Sequence, residues 1–175
     1  MNPWEDAPPE ILTLATFLNY FYRESDRGAA LLAASMLDEI VLRILRAHFI
    51  EDAESEKLLT GFNAPLGTFS ARLVAALCLG LIEKLEFNEA NLIRKIRNHF
   101  AHGWVDISFD DNRIVGLVGG LRHEVPSLET TPRTIFNASV ANLLGEWLWR
   151  EGLVKTERRS PRTWPHKSGF LKEKL

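Results

Sequence analysis

Residues 91–103 bring together the side chains in this sequence that are best suited to handling a phosphate group. Leu92, Ile96 and Phe100 recur at helical spacing, which predicts one buried face of a helix that ends at Gly103. The other faces carry basic, amide and imidazole side chains: Arg94, Lys95, Arg97, Asn98, His99 and His102. An arginine can bind a phosphate with two hydrogen bonds, and a histidine can exchange a proton near neutral pH. The segment therefore predicts either a phosphate-handling site or a basic helix end.

Helical geometry limits how Arg97 and His102 can act together. Asn98 and His102 are four residues apart and share a face, whereas Arg97 lies about 140° of helical rotation from His102. A site that used both would need a distorted helix end, a phosphate across the helix axis, or a second subunit. Alternatively, Arg97 could pair with a carboxylate such as Asp38 while His102 covers the last carbonyls of its helix, or the segment could bind a protein. The candidate binding residues are Arg94, Lys95, Arg97, His99 and Asp38.

Metal, cofactor and hydrolase motifs are not favoured by the sequence. His99 and His102 could both bind a metal ion, and Asp38 or Glu39 could add carboxylates. However, no cysteine pair or carboxylate pair with metal-site spacing lies near them in the sequence, so we expect no metal site. Glycine-rich phosphate loops and a Gly-x-Ser-x-Gly motif are missing as well, so we expect no cofactor and no hydrolase triad.

The composition is that of an ordinary soluble domain with a basic end. The chain has 175 residues, of which 46% are hydrophobic and 25% charged, and this fits one domain. The net charge of −2 divides into −7 for residues 1–151 and +5 for residues 152–175. Non-specific affinity for nucleic acids depends on neutralising phosphates. Nucleic-acid binding is therefore expected only through the basic tail or through residues 94–102.

The sequence also predicts where the protein resides. Cys78 is the only cysteine, which excludes a disulfide within the chain, and its apolar neighbours predict a buried position. The first ten residues lack the features of a signal peptide. No uncharged apolar run approaches the roughly 18 residues that a membrane span needs. We therefore expect a cytoplasmic protein that does not enter a membrane.

Apolar periodicity predicts a mainly α-helical bundle. Helices are expected over about residues 8–24, 27–50, 68–80, 88–103 and 132–151, with Ser25 or Asp26 and Thr68 as N-caps. After Gly103 the apolar residues alternate around a turn at residues 110–112, which predicts a small β-hairpin over about residues 104–117. Residues 1–151 would form one helical domain and residues 152–175 a basic, flexible tail. Small residues at positions 28–34 would allow a close helix approach, which suggests a homodimer.

Four sequence blocks resemble segments of the mannitol operon repressor (MltR) family, and they occur along this chain in the same order as in that family. They are LLAASMLDEI at residues 31–40, GFNAPLGTFSAR at 61–72, LGLI at 79–82 and IRKIRNHFAH at 93–102. Together they cover roughly residues 27–103. The resemblance implies an all-helical core and a role in regulating sugar-alcohol uptake genes. It also implies a protein without an ordinary DNA-binding motif that acts through protein contacts, with a phosphotransfer carrier protein as the candidate partner.

A looser resemblance is to HEPN domains, helical proteins that often act as metal-independent ribonucleases in toxin and defence systems. Arg97, Asn98 and His102 are similar to the Arg-x4-His motif of that family. The resemblance implies that Arg97 holds the scissile phosphate and that His102 moves protons during attack by the 2′-hydroxyl. Asn98 would orient one of them, and dimerisation would assemble the site. The ribonuclease is thus the alternative to the regulator.

Overall fold

The computed structural model describes residues 7–102, 107–122 and 130–164, and these ranges contain α-helices and no β-strand. The helices are α1 (Pro9–Phe21), α2 (Asp26–His48), α3 (Ala53–Leu59), α4 (Phe69–Cys78), α5 (Lys84–His102), α6 (Asn112–Val118) and α7 (Pro132–Thr156). The predicted mainly α-helical bundle is therefore confirmed. None of the helices in the described ranges is long and apolar enough to cross a membrane.

Helix α2 lies at the centre of the bundle and contacts α1, α3, α4, α5 and α7. Its predicted apolar stripe is buried throughout: Leu37, Ile40, Val41, Ile44 and Leu45. The small residues before this stripe are also buried within the single chain: Ala29, Ala30, Ala33 and Ala34. They therefore allow the chain's own helices to pack closely against α2. The homodimer that they suggested stays a prediction.

Side-chain caps fix where the helices begin. The hydroxyl of Ser25 accepts the N–H of Gly28 at 3.1 Å, and the hydroxyl of Thr68 accepts the N–H of Ala71 at 3.2 Å. Both residues satisfy backbone donors that have no partner within the first helical turn. The predicted N-caps at Ser25 and Thr68 are thus confirmed.

A chain of aromatic rings holds the residues after 106 in the core. The ring of Phe109 packs at a tilt against Phe100 of α5 and Phe136 of α7, with centroid distances of 5.1 and 4.8 Å. The N–H of Phe109 also donates to Asp26 Oδ2 at 2.9 Å. Because Phe109 is anchored on three helices, the short helix α6 that follows lies beside α5.

The predicted β-hairpin over residues 104–117 is wrong. Residues 112–118 form helix α6, and residues 104–106 of the expected first strand lie outside the described ranges. Asp111, which we assigned to the hairpin turn, is instead the N-cap of α6 and accepts the N–H of Arg113 at 2.9 Å. Ile114 and Val118 are four residues apart and both face the core. A short apolar run satisfies strand and helix periods equally, and here the cap and the core contacts favour the helix.

The final helix and the start of the tail also differ from expectation. Helix α7 continues to Thr156, five residues beyond its predicted end near Glu151. Arg158 then donates to the carbonyls of Arg46 and Ala47, at 3.2 and 3.3 Å, and to Glu51 at 3.1 Å. The first part of the basic tail therefore packs on the C-terminal end of α2. Residues 165–175 of the predicted flexible tail lie outside the described ranges.

Cys78 is exposed at the end of α4, so its predicted burial is wrong. The buried stripe of α4 consists of Phe69, Arg72, Leu73 and Ala76. The prediction was based on the apolar residues next to Cys78 in the sequence. Cys78 lies in the last turn of α4 and is not part of the buried stripe.

Candidate functional site

The C-terminal half of α5 has a buried face and a polar face. Ile93, Ile96 and Phe100 are fully buried. The polar face consists of residues spaced three and four apart, which places them in one row along the helix: Lys95, Asn98, His99 and His102. The structure thus brings together four of the residues selected from the sequence.

This row forms one wall of a cleft between α5 and α6. Arg113 and Leu117 of α6 form the opposite wall, and Ile107 contributes from the segment before α6. The cleft has a volume of about 680 Å³ and is open to solvent. Among the described residues that line it there are two permanent cations, two imidazoles, one amide and no carboxylate. We call it the α5/α6 cleft.

The two permanent cations of the cleft have no carboxylate partner among the described residues. His99 Nε2 lies 3.5 Å from Asp111 Oδ1, the same oxygen that caps α6. Lys95, His102 and Arg113 form no side-chain hydrogen bond or ion pair with the described parts of the chain. Within the described residues, no side-chain hydrogen bond connects His102 to the last carbonyls of α5, so that predicted contact is not seen. Asp111 therefore pairs with one imidazole of the cleft, while Lys95 and Arg113 present positive charge without an ion-pair partner among the described residues.

Arg97 and Arg94 do not line the cleft. Arg97 Nη1 donates to Asn98 Oδ1 at 2.9 Å, and Arg94 Nε donates to Asn91 Oδ1 at 3.2 Å. Asn98 accepts from Arg97 and also lines the cleft, as His102 does. His102 thus lines the cleft, and Arg97 lies outside its lining.

The expected pairing of Arg97 with Asp38 is wrong, because Asp38 binds Arg72. Arg72 Nη1 donates to Asp38 Oδ1 at 2.7 Å, and the side chain of Arg72 is 10% exposed. Arg72 also donates to the carbonyls of Leu66, at 2.9 Å, and Leu59, at 3.2 Å. One buried guanidinium thus connects α2 and α4 to the loop of residues 60–68. Asp38 is a structural residue of this network.

Sequence reasoning missed both Arg113 and Arg72. Arg113 was placed on a strand of the expected hairpin, so its position opposite α5 could not be foreseen. Arg72 had a visible signal, because it lies three residues after Phe69 and next to Leu73 on the buried stripe of α4. A charged residue on an apolar stripe is rarely buried without a partner.

The loop that Arg72 holds presents a fully exposed phenylalanine. Phe62 is 98% exposed, between Gly61 with φ +105° and Asn63 with φ +61°. Backbone hydrogen bonds close the loop on both sides, from Leu66 to Leu58 at 2.9 Å and from Gly67 to Ala64 at 2.9 Å. The loop is therefore well supported, and it exposes a large apolar side chain to solvent. We call residues 60–68 the Phe62 loop.

The N-terminal half of α5 is structural by contrast. Glu86 Oε2 accepts from Arg150 of α7 at 2.5 Å, and Ser139 donates to Glu89 at 2.5 Å. Burial alone would raise the pKa of Glu86, but its hydrogen bonds with Arg150 and with the Glu83 N–H lower the pKa below its ordinary value. These acids attach α5 to α7 and are remote from the cleft lining. Groups of three or more metal-ligand side chains are not found in the described ranges.

The mannitol operon repressors of Escherichia coli strains K12 and O6:H1 are each 31% identical to the chain over 112 residues. The alignment covers 61% of this chain and 56% of each repressor, so the chain matches little more than half the length of these curated relatives. No family model matches the chain.

A solved structure has the same fold. The X-ray structure of the MtlR–HPr complex from Escherichia coli superposes with a TM-score of 0.61, over 80% of this chain and 98% of the other, at 22% identity. The chain resembles mannitol operon repressors. The resemblance predicted from the four sequence blocks is thereby confirmed, both in sequence and in fold. Two of the four blocks, residues 31–40 and 61–72, contain Asp38, Leu66 and Arg72, which hydrogen bonds connect in this structure.

Proposed function

We propose that this protein is a transcriptional regulator of the mannitol operon repressor type that acts through protein contacts and has no DNA-reading motif of its own. The observation that carries the proposal is the Phe62 loop. An aromatic side chain that is 98% exposed has no role in the core of its own chain. Aromatic residues held on a rigid support are typical anchors of protein interfaces, because little conformational freedom is lost on binding.

A phosphotransfer carrier protein is the partner that we propose. The resemblance to mannitol operon repressors implied such a partner from the sequence, and the solved structure with this fold is a complex of MtlR with HPr. We propose that the Phe62 loop contacts the carrier and that Phe62 inserts into an apolar pocket of that protein. Nucleic-acid binding through residues 152–175 or 94–102 stays a prediction. The cytoplasmic location is also a prediction.

The Phe62→Ala variant tests this proposal. We expect it to weaken binding of the carrier protein from the same organism by about 30-fold, the effect of removing a central interface residue. The measurement is isothermal titration calorimetry with both purified proteins. Tyr20→Ala is the matched control, since Tyr20 is an aromatic residue of α1 that is 63% exposed, and this variant should bind like the original protein. Equal affinity for all three proteins would refute the Phe62 contact, and absence of binding to any of them would refute the carrier as partner.

The metal-independent ribonuclease is the second candidate function. One contact favours it: Arg97 donates to Asn98, and Asn98 lines the same cleft as His102. Arg97 itself lies outside the cleft lining, so a single chain does not present Arg97 and His102 to one phosphate. RNA cleavage that resists excess chelator and disappears in both Arg97→Ala and His102→Ala would establish the ribonuclease. Inert wild-type protein would dismiss it.

A further inference from the structure

We propose that the α5/α6 cleft is a binding site for a small phosphate monoester. This inference is independent of the proposed carrier contact, because the cleft and the Phe62 loop share no residue. It also does not require catalysis. The ligand is identified by the charge, the donors and the apolar residues of the cleft.

The charge of the cleft selects a dianion. Lys95 lies on α5 and Arg113 on α6, so each wall of the cleft supplies one cation. His99, His102 and Asn98 add nitrogen donors on the α5 side. A phosphate monoester carries up to two negative charges on three acceptor oxygens, which matches donors that converge from two sides. The described lining residues include no carboxylate, and the nearby carboxylate of Asp111 is occupied by His99 and by the N–H of Arg113.

The apolar residues of the cleft select an ester over free phosphate. Ile107 and Leu117 line the same space, and neither can hydrogen bond with a phosphate oxygen. The volume of about 680 Å³ exceeds what a single phosphate ion fills and falls in the range of pockets for small organic ligands. The phosphate group would lie between Lys95 and Arg113, with the organic group against Leu117.

Binding of two phosphate probes tests the proposal. Phenyl phosphate and inorganic phosphate are titrated separately into the 175-residue protein, with malonate as a dianion that has no phosphate, and backbone amide shifts are followed by NMR. We expect saturable shifts around the cleft and tighter binding of phenyl phosphate. Arg113→Ala and Lys95→Ala should each weaken both ligands about tenfold, because each removes one charged donor. Leu117→Ala should weaken phenyl phosphate alone.

Arg23→Ala is the matched control, since it removes an exposed arginine that is not part of the cleft lining and should leave both affinities unchanged. Circular dichroism verifies that each variant is folded. Absence of saturable binding, equal weakening by Arg23→Ala, or tighter binding of malonate than of phenyl phosphate would overturn the proposal. Equal affinities for phenyl phosphate and inorganic phosphate would overturn the assignment to an ester.

Discussion

At the residue scale, the role of a charged side chain in this protein depends on the group that it contacts in the folded chain. Asp38 was selected from the sequence as a partner of Arg97, yet it binds Arg72, which is 34 residues away along the chain. Sequence spacing predicts contacts within a helix, because residues three and four apart are neighbours there. It carries no information about which arginine on another helix reaches a given carboxylate. For this reason the row on α5 was predictable, whereas the partners of Asp38 and Arg113 were not.

The Arg72 network should contribute strongly to stability. Replacing Arg72 with methionine would leave two backbone carbonyls without their donor and Asp38 without its counter-ion. Because the side chain of Asp38 is 31% exposed, water compensates in part, and we expect a loss of about 2–3 kcal/mol in the free energy of unfolding. Urea denaturation measures this loss.

Lys57→Met is the matched control for Arg72→Met. Lys57 pairs with Glu54 at 2.6 Å, but both side chains are at least 70% exposed, so the change should be within about 0.5 kcal/mol. A similar small effect for Arg72→Met would show that the network does not hold the loop. Weaker carrier binding in Arg72→Met at a temperature where it is folded would instead connect the network with the Phe62 loop.

At the level of helices, long periodic segments were predicted well and short ones were not. The stripe of α2 and the N-caps Ser25 and Thr68 were all identified, because a pattern repeated over several turns excludes other periods. Helix α6 has only seven residues, and its run of apolar residues with one glycine also fits a strand. Asp111 caps the helix, and Ile114 and Val118 pack in the core. The sequence shows these residues but not their tertiary packing, which decides that the segment is a helix.

Gly116 offers a test of α6. It lies within the helix, and a Cβ added to it would meet nothing within 4 Å. Gly116→Ala should therefore raise the free energy of unfolding by about 0.5–1 kcal/mol, since alanine restricts the unfolded chain and favours the helix. Gly80→Ala is the contrasting variant. Gly80 has φ +71°, which disfavours a side chain, so alanine should destabilise by about 1–2 kcal/mol. Thermal unfolding of both variants reveals the sign, and destabilisation by Gly116→Ala would contradict the helical assignment.

In the whole molecule, two surfaces are assembled by contacts between distant parts of the chain. The α5/α6 cleft exists because Phe109 is anchored on α5 and α7, and the Phe62 loop is held because Arg72 connects it to α2. Composition and periodicity predicted the bundle and the polar row, but neither surface could be derived from them. The basic tail is a third such case, since Arg158 packs on α2 instead of extending into solvent.

The contact between tail and α2 should be visible in the titration of His48. Burial lowers the pKa of His48, and the nearby positive charge of Arg159 lowers it further. The unfolded chain therefore binds more protons than the folded chain between the folded pKa of His48 and its ordinary value of about 6.5. Stability should rise with pH through this window and be lost as the pH falls below about 6.5.

Arg159→Ala isolates the part of this effect that depends on the tail. Removing the guanidinium leaves burial as the remaining cause, so the pKa of His48 should rise toward its ordinary value while staying below it. NMR titration of the His48 ring proton measures the pKa directly, and His48→Gln should flatten the dependence of unfolding free energy on pH in the same window. If Arg159→Ala left the titration unchanged, the tail would not lie on α2 in solution. A shift in the expected direction would show that Arg159 is held near His48 in solution, because a charge acts strongly on an imidazole only at short range.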